Sequence, residues 1–68
     1  MKKLLTLQSK LFEKGITRTR LSKETGILRW YITLALRGRY CFDEEEQLKI
    51  AKVLNEPPTQ LFPELQQS

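Results

Sequence analysis

Three side chains that can recognise the edges of DNA bases stand together in one short segment. Arg29, Trp30 and Thr33 occupy positions i, i+1 and i+4 of a predicted helix, so they form one contiguous patch on its surface. Arginine can donate two hydrogen bonds to guanine O6 and N7, and a threonine methyl or a tryptophan ring can contact a thymine methyl. The segment therefore carries residue types that suit recognition in a major groove.

Trp30 also has a structural interpretation, because a tryptophan on an amphipathic helix often belongs to the core. Its angular position opposes Ile32 only in part, so contact with DNA and burial in the core are both open at this point. Leu34 is expected to face solvent or DNA, and the sequence assigns it no definite role.

Groups suited to phosphate binding flank this patch. The side chains expected to contact the DNA backbone are Arg18, Arg20, Arg37, Arg39 and Tyr40. Such contacts supply salt-dependent affinity and orientation, whereas discrimination between sequences comes from contacts to the bases. Arg20 also has a simpler interpretation as part of a solvated helix face.

The charge of the chain is divided unevenly along its length. Residues 1–40 contain ten Lys and Arg against two acids, a net charge of +8, and residues 41–68 contain two Lys against six acids, a net charge of −4. A polyanion would meet such a molecule on its basic side. A soluble helical protein with unevenly placed surface charge shows the same pattern, so charge alone leaves nucleic-acid binding open.

The elements that must position these side chains are two short helices joined at Gly26. Thr17 is a plausible N-cap for a helix over residues 18–25, and the turn at Gly26 requires a positive φ. A second helix is predicted from about residue 28 to 37. The apolar side chains expected to face inward are Leu21, Ile27, Ile32, Ala35 and Leu36. Residues 17–38 therefore predict a helix-turn-helix, whose second helix can enter the major groove.

Three further helices are predicted to support this unit. They run over about residues 3–14, 43–55 and 58–62. The apolar face of the first is expected to contain Leu4, Leu7, Leu11 and Phe12. In the second, Asp43 and Glu46 have the spacing of a capping box. The expected architecture is one all-α domain over residues 1–68, with a frayed tail from about residue 64.

The run LSKETGILRWYITLALRGR, followed by DEEEQLKIAKVLNEPPTQLF, resembles the lambda-repressor-like (Cro/C1-type, XRE) helix-turn-helix domain. The resemblance covers about residues 4–62. It implies a compact five-helix fold that binds operator DNA, typically as a homodimer on a palindromic site.

The chain departs from the pattern of that family at four positions. The family usually has Gln at the position of Arg18, Ala at Ser22, Ser or Thr at Leu28, and a polar residue at Leu36. Leu28 leaves the second helix without a side-chain cap, which costs about 1 kcal/mol unless packing offsets it. These departures bear on base recognition more than on the fold.

We therefore expect a sequence-specific double-stranded DNA-binding transcriptional regulator, of the kind that phages and mobile elements encode as a repressor or Cro-like protein. The alternative is a protein-interaction module or an antitoxin with the same fold, for which DNA binding is secondary or absent. The candidate contacts between the two copies of a dimer are Leu61, Phe62 and Leu65, or Trp30 and Leu34.

Catalysis is not expected, because the sequence has no histidine, no glycine-rich phosphate loop and no carboxylate pair expected to line a pocket. With one cysteine, Cys41, it also has no set of nitrogen and sulfur ligands for zinc. No cofactor and no small-molecule ligand is expected. The start of the chain does not have the pattern of a signal peptide, and no apolar run reaches about 18 residues. We expect a cytoplasmic protein with no membrane partner.

Overall fold

The computed structural model describes residues 3–65, which form five α-helices and a closing 3₁₀ turn. In chain order these are α1 (Leu5–Glu13), α2 (Arg18–Thr25), α3 (Arg29–Leu36), α4 (Glu44–Leu54), α5 (Pro58–Leu61) and the 3₁₀ turn Pro63–Leu65. No strand occurs within residues 3–65, so the all-α prediction is confirmed. In this part of the chain no helix is long and apolar enough to cross a membrane.

Local capping signals set the beginnings of α2 and α4. The Thr17 hydroxyl accepts a hydrogen bond from the Arg20 N–H at 3.1 Å. Asp43 accepts from the Glu46 N–H at 2.8 Å, and the Glu46 carboxylate accepts from the Asp43 N–H at 3.0 Å. Both pairs satisfy N–H groups that have no partner inside a helix. The predicted N-cap at Thr17 and the predicted capping box are confirmed.

The apolar faces of the helices meet in one core. Helix α2 packs against α3 and α4, and α1 packs against α3 and α5. The largest fully buried side chains are Phe42, Phe62, Leu4, Leu7, Leu21, Ile32, Ile50, Leu54 and Leu61. Burial of one such side chain stabilises the fold by about 1.5–3 kcal/mol. The buried face of α3 packs into this core, which therefore fixes the position of the helix.

The assignment of Phe12 to the core is wrong. Its side chain is 90% exposed, whereas Leu7 and Leu11 of the same helix are buried. Phe12 follows Leu11 by one residue, which turns its direction by about 100° around the helix axis. Only the Leu11 side of α1 meets the neighbouring helices, so the phenyl ring lies in solvent.

The two ends of the described chain are hydrogen bonded to each other. The Thr6 N–H and hydroxyl both donate to Glu64 Oε2, at 3.3 Å and 3.0 Å. The predicted frayed tail began at about residue 64, but Glu64 and Leu65 belong to the 3₁₀ turn and Leu65 packs against the core. Residues 66–68, the rest of that predicted tail, lie outside the described residues.

Candidate functional site

Side chains of α2 fix the path of the three residues that join α2 to α3. Gly26 has φ = +79°, a left-handed conformation that glycine adopts with little strain. The Thr25 hydroxyl donates to the Leu21 carbonyl at 2.7 Å and accepts from the Ile27 N–H at 3.2 Å. The Ser22 hydroxyl donates to the Ile27 carbonyl at 2.6 Å. These bonds tie both polar groups of the Ile27 backbone to α2 and so set where α3 begins.

Helix α3 buries one face and presents the other to solvent. Its buried residues are Ile32, Ala35 and Leu36, as the sequence predicted. At about 100° per residue, Trp30 lies roughly opposite the mean direction of these three. Trp30 is 67% exposed, which excludes its interpretation as a core residue. Leu34, expected to face solvent or DNA, is half-buried.

An open groove of about 440 Å³ lies between the first turn of α2 and one flank of α3. Its lining residues are Thr17, Arg18, Thr19, Arg29, Thr33 and Arg37. Three of these are arginines and none is acidic, so the groove is strongly cationic. The Arg29 guanidinium donates through Nη1 to the Thr19 hydroxyl at 3.4 Å, a long hydrogen bond that draws Arg29 toward α2.

A second depression, of about 340 Å³, continues this groove toward α1. It shares Arg18, Thr33 and Arg37 with the first groove, and its other lining residues are Lys3, Leu5, Gln8 and Leu36. We call the four basic residues of the two grooves, Lys3, Arg18, Arg29 and Arg37, the cationic surface. Sequence reasoning missed Lys3, because only the packing of α1 against α3 brings it beside the two arginines.

The other residues predicted to bind phosphate line neither groove. Arg20 pairs with Glu24 on the exposed side of α2, with 2.8 Å between Nε and Oε2. Arg39 is exposed in the connection after α3. The Tyr40 hydroxyl donates to Glu46 at 2.9 Å, and this bond, aided by burial and by the charge of Glu46, raises the pKa of Tyr40. The hydroxyl proton of Tyr40 is therefore donated to the first turn of α4 rather than offered to a phosphate.

The flank of α3 that faces away from the groove is aromatic. The Tyr31 ring packs on the Tyr40 ring with 4.9 Å between centroids, and Tyr40 meets Phe42 edge-on at 5.7 Å. Tyr31 is 39% exposed, and Leu28, just before the helix, is 64% exposed. The exposed surface of α3 is thus bordered by arginines on one side and by apolar side chains on the other.

The described residues contain no group of three His, Cys, Asp or Glu side chains that could hold a metal ion. No protein-family model, no curated protein and no solved structure matches this chain. What the protein does is therefore inferred from its own residues and their geometry.

Proposed function

We propose that this chain is a sequence-specific double-stranded DNA-binding regulator with a lambda-repressor-like fold, in which α2 and α3 form a helix-turn-helix. The observation that carries the proposal is the cationic surface beside the exposed face of α3. Double-stranded DNA carries one negative charge per roughly 1.7 Å of helix axis. Arg18, Arg37 and Lys3 would bind backbone phosphates while α3 lies in the major groove.

The exposed face of α3 supplies the base contacts in this proposal. Arg29, Trp30 and Thr33 lie in its first half, and residues near the N-terminus of a recognition helix reach base edges. A B-DNA major groove is about 12 Å wide and admits one α-helix. The first turn of α2, which lines the groove through Arg18 and Thr19, adds backbone N–H groups that favour a phosphate.

One α3 covers only a half-site, so the proposal includes a homodimer on a palindromic operator. Leu61 and Phe62 are fully buried, so these two residues of one expected dimer contact cannot reach a second copy, whereas Leu65 is half-buried. Leu48 on α4 is 56% exposed and borders an open groove whose other lining residues are the apolar Ala51 and Pro57 and the polar Lys52, Asn55 and Glu56. We place the dimer contact on this side of α4. Such a regulator, of phage or mobile-element type, would act in the cytoplasm.

A protein-interaction module is the second candidate function, and one observation favours it. Phe12 is 90% exposed on α1, away from the groove residues. Aromatic side chains, phenylalanine among them, are enriched in the cores of protein–protein interfaces. In this case Phe12 would bind a partner, and DNA binding would be weak or absent.

The test is a binding titration of labelled random duplex DNA over a salt series, with selection of enriched sequences. Arg18→Ala should reduce the slope of log affinity against log salt by about 0.9, because one phosphate contact is lost. Arg20→Ala is the matched control on the same helix, since Arg20 faces Glu24 and lies outside the groove. Its slope should stay close to that of the unchanged protein.

Enrichment of a palindromic sequence would establish a sequence-specific regulator. Salt-sensitive binding without enrichment would indicate a non-specific DNA binder. No binding at moderate salt would overturn the proposal and direct the search to a protein partner at Phe12.

A further inference from the structure

Arg29 and Trp30 are adjacent in sequence but lie in different surroundings. The Arg29 guanidinium is drawn to the Thr19 hydroxyl at 3.4 Å, into the groove that Arg18 and Arg37 also line. Its direction differs from that of Trp30 by about 100° around the α3 axis. Arg29 therefore points to the flank where phosphates would lie, rather than straight out from the helix.

Trp30 occupies the outermost position of α3. It lies roughly opposite the buried face, and two thirds of its surface is exposed. Leu28, two residues earlier at the N-cap of α3, is exposed to a similar extent. A large apolar side chain exposed in this way costs free energy until something covers it. The adjacent cationic surface favours an anionic partner, and duplex DNA carries the opposite charge to this surface.

The major groove offers one apolar group to such a side chain. Guanine, adenine and cytosine present hydrogen-bond donors and acceptors there but no methyl group, whereas thymine adds its C5-methyl group. An indole ring that enters the groove can bury that methyl group against its face. An arginine held at the groove flank cannot make the same contact.

We infer that Trp30, rather than Arg29, sets the sequence preference of this protein, and that the group it recognises is the C5-methyl of a thymine in each half-site. This inference rests on the proposed function, because it specifies what α3 contacts in DNA. Arg29 thereby moves from the base contacts named above to the DNA backbone, where it contributes mainly charge beside Arg18 and Arg37.

The experiment uses the enriched duplex and a series in which each thymine is replaced singly by uracil, which removes only the methyl group. At one position per half-site the affinity of the unchanged protein should fall about fourfold, as expected for one buried methyl group. Trp30→Ala should bind the thymine and uracil duplexes equally. Because Trp30 is exposed, this variant should keep the fold, which circular dichroism would verify.

Arg29→Ala is the matched control from the neighbouring position. It should bind both duplexes more weakly and reduce the salt slope by about 0.9, yet keep the difference between thymine and uracil. Equal binding of all uracil duplexes by the unchanged protein would overturn the inference, as would a thymine preference that persists in Trp30→Ala. In either case the enriched sequence itself would still support the proposed function. Failure to enrich any sequence would instead remove the proposed function.

Discussion

Helices α3 and α4 begin in opposite ways. Before α4, Asp43 completes a reciprocal capping box with Glu46, and the adjacent Phe42 is only 1% exposed. Before α3, Leu28 makes no side-chain cap and is 64% exposed. The first turn of α4 has three acids, whereas that of α3 has none and begins with Arg29.

Under the proposed function, this difference separates the residues that stabilise the fold from those that bind DNA. The acids and the capping box at α4 satisfy its first N–H groups and its helix dipole within the chain. At α3 the equivalent N–H, that of Tyr31, donates to the Leu28 carbonyl at 3.0 Å, and neither a side-chain cap nor an acid in the first turn offsets the positive end of the dipole. An anionic partner would offset that dipole, as the three acids of the first turn do at α4.

The largest expected effect comes from truncating Phe42, the buried residue before the N-cap of α4, and it contrasts with truncation of Leu28, the exposed N-cap residue of α3. Phe42→Ala should destabilise the protein by about 3–5 kcal/mol, because it removes a buried aromatic ring. Leu28→Ala should change stability by no more than about 0.5 kcal/mol, since Leu28 lies mostly in solvent. Urea unfolding followed by far-UV circular dichroism measures both. Similar losses in the two variants would contradict the contrast between the helix beginnings.

Giving α3 the cap it lacks should move stability and DNA binding in opposite directions. Leu28 has an extended backbone (φ −60°, ψ 138°) that suits an N-cap. Leu28→Asp should therefore stabilise the fold by about 1 kcal/mol, while its negative charge should weaken DNA binding. Thermal unfolding and the binding titration check the two effects. Leu28→Asn provides the cap without the charge, so it should raise stability and reduce affinity less.

The smallest effect is expected at the other end of α4. Glu56 accepts from Lys10 Nζ at 3.2 Å and from Lys14 Nζ at 3.3 Å. The hydrogen bond from Lys10, together with that from Lys14, lowers the pKa of Glu56 below its ordinary value of 4.5 despite partial burial. Because the folded-state pKa is lowered, the stabilisation is present above pH 4.5 and is lost as the pH falls through the lowered value.

Glu56→Gln removes this contribution. Its stability should be below that of the unchanged protein at pH 7, and the difference should be smaller at pH 3, because the stabilisation is lost as the pH falls below 4.5 toward the lowered pKa. Unfolding curves at both pH values measure the difference, which should be small for pairs near the surface. A gap that stays constant with pH would assign the effect to something other than the charge of Glu56.

The features predicted correctly from sequence are those whose cause is local. Thr17, Gly26 and the pair Asp43 and Glu46 were identified because each acts on backbone groups within three or four residues. The inward face of α3 followed from its periodicity for the same reason. The error at Phe12 arose because the spacing i+8 from Leu4 lies near the edge of an apolar face, where only the position of the neighbouring helices decides burial.

The groove beside α3 was only partly predictable for a related reason. Arg18, Arg29 and Arg37 belong to the helix-turn-helix pattern and were expected near DNA. Lys3 joins them only because α1 packs against α3, and no motif encodes that approach. Tyr40 has a hydroxyl that could bind a phosphate, yet this hydroxyl donates to Glu46. Tyr40 lies in the irregular connection between α3 and α4, where helical periodicity does not predict the direction of a side chain.

Trp30 is the chain's single tryptophan, and its position has a spectroscopic consequence. Because the indole is already mostly in water in the folded state, its emission should lie close to that of the unfolded chain. Intrinsic fluorescence is then a poor monitor of unfolding. Anything that covers α3 should shift the emission toward the blue or quench it, so the protein carries its own optical signal for occupancy of that surface.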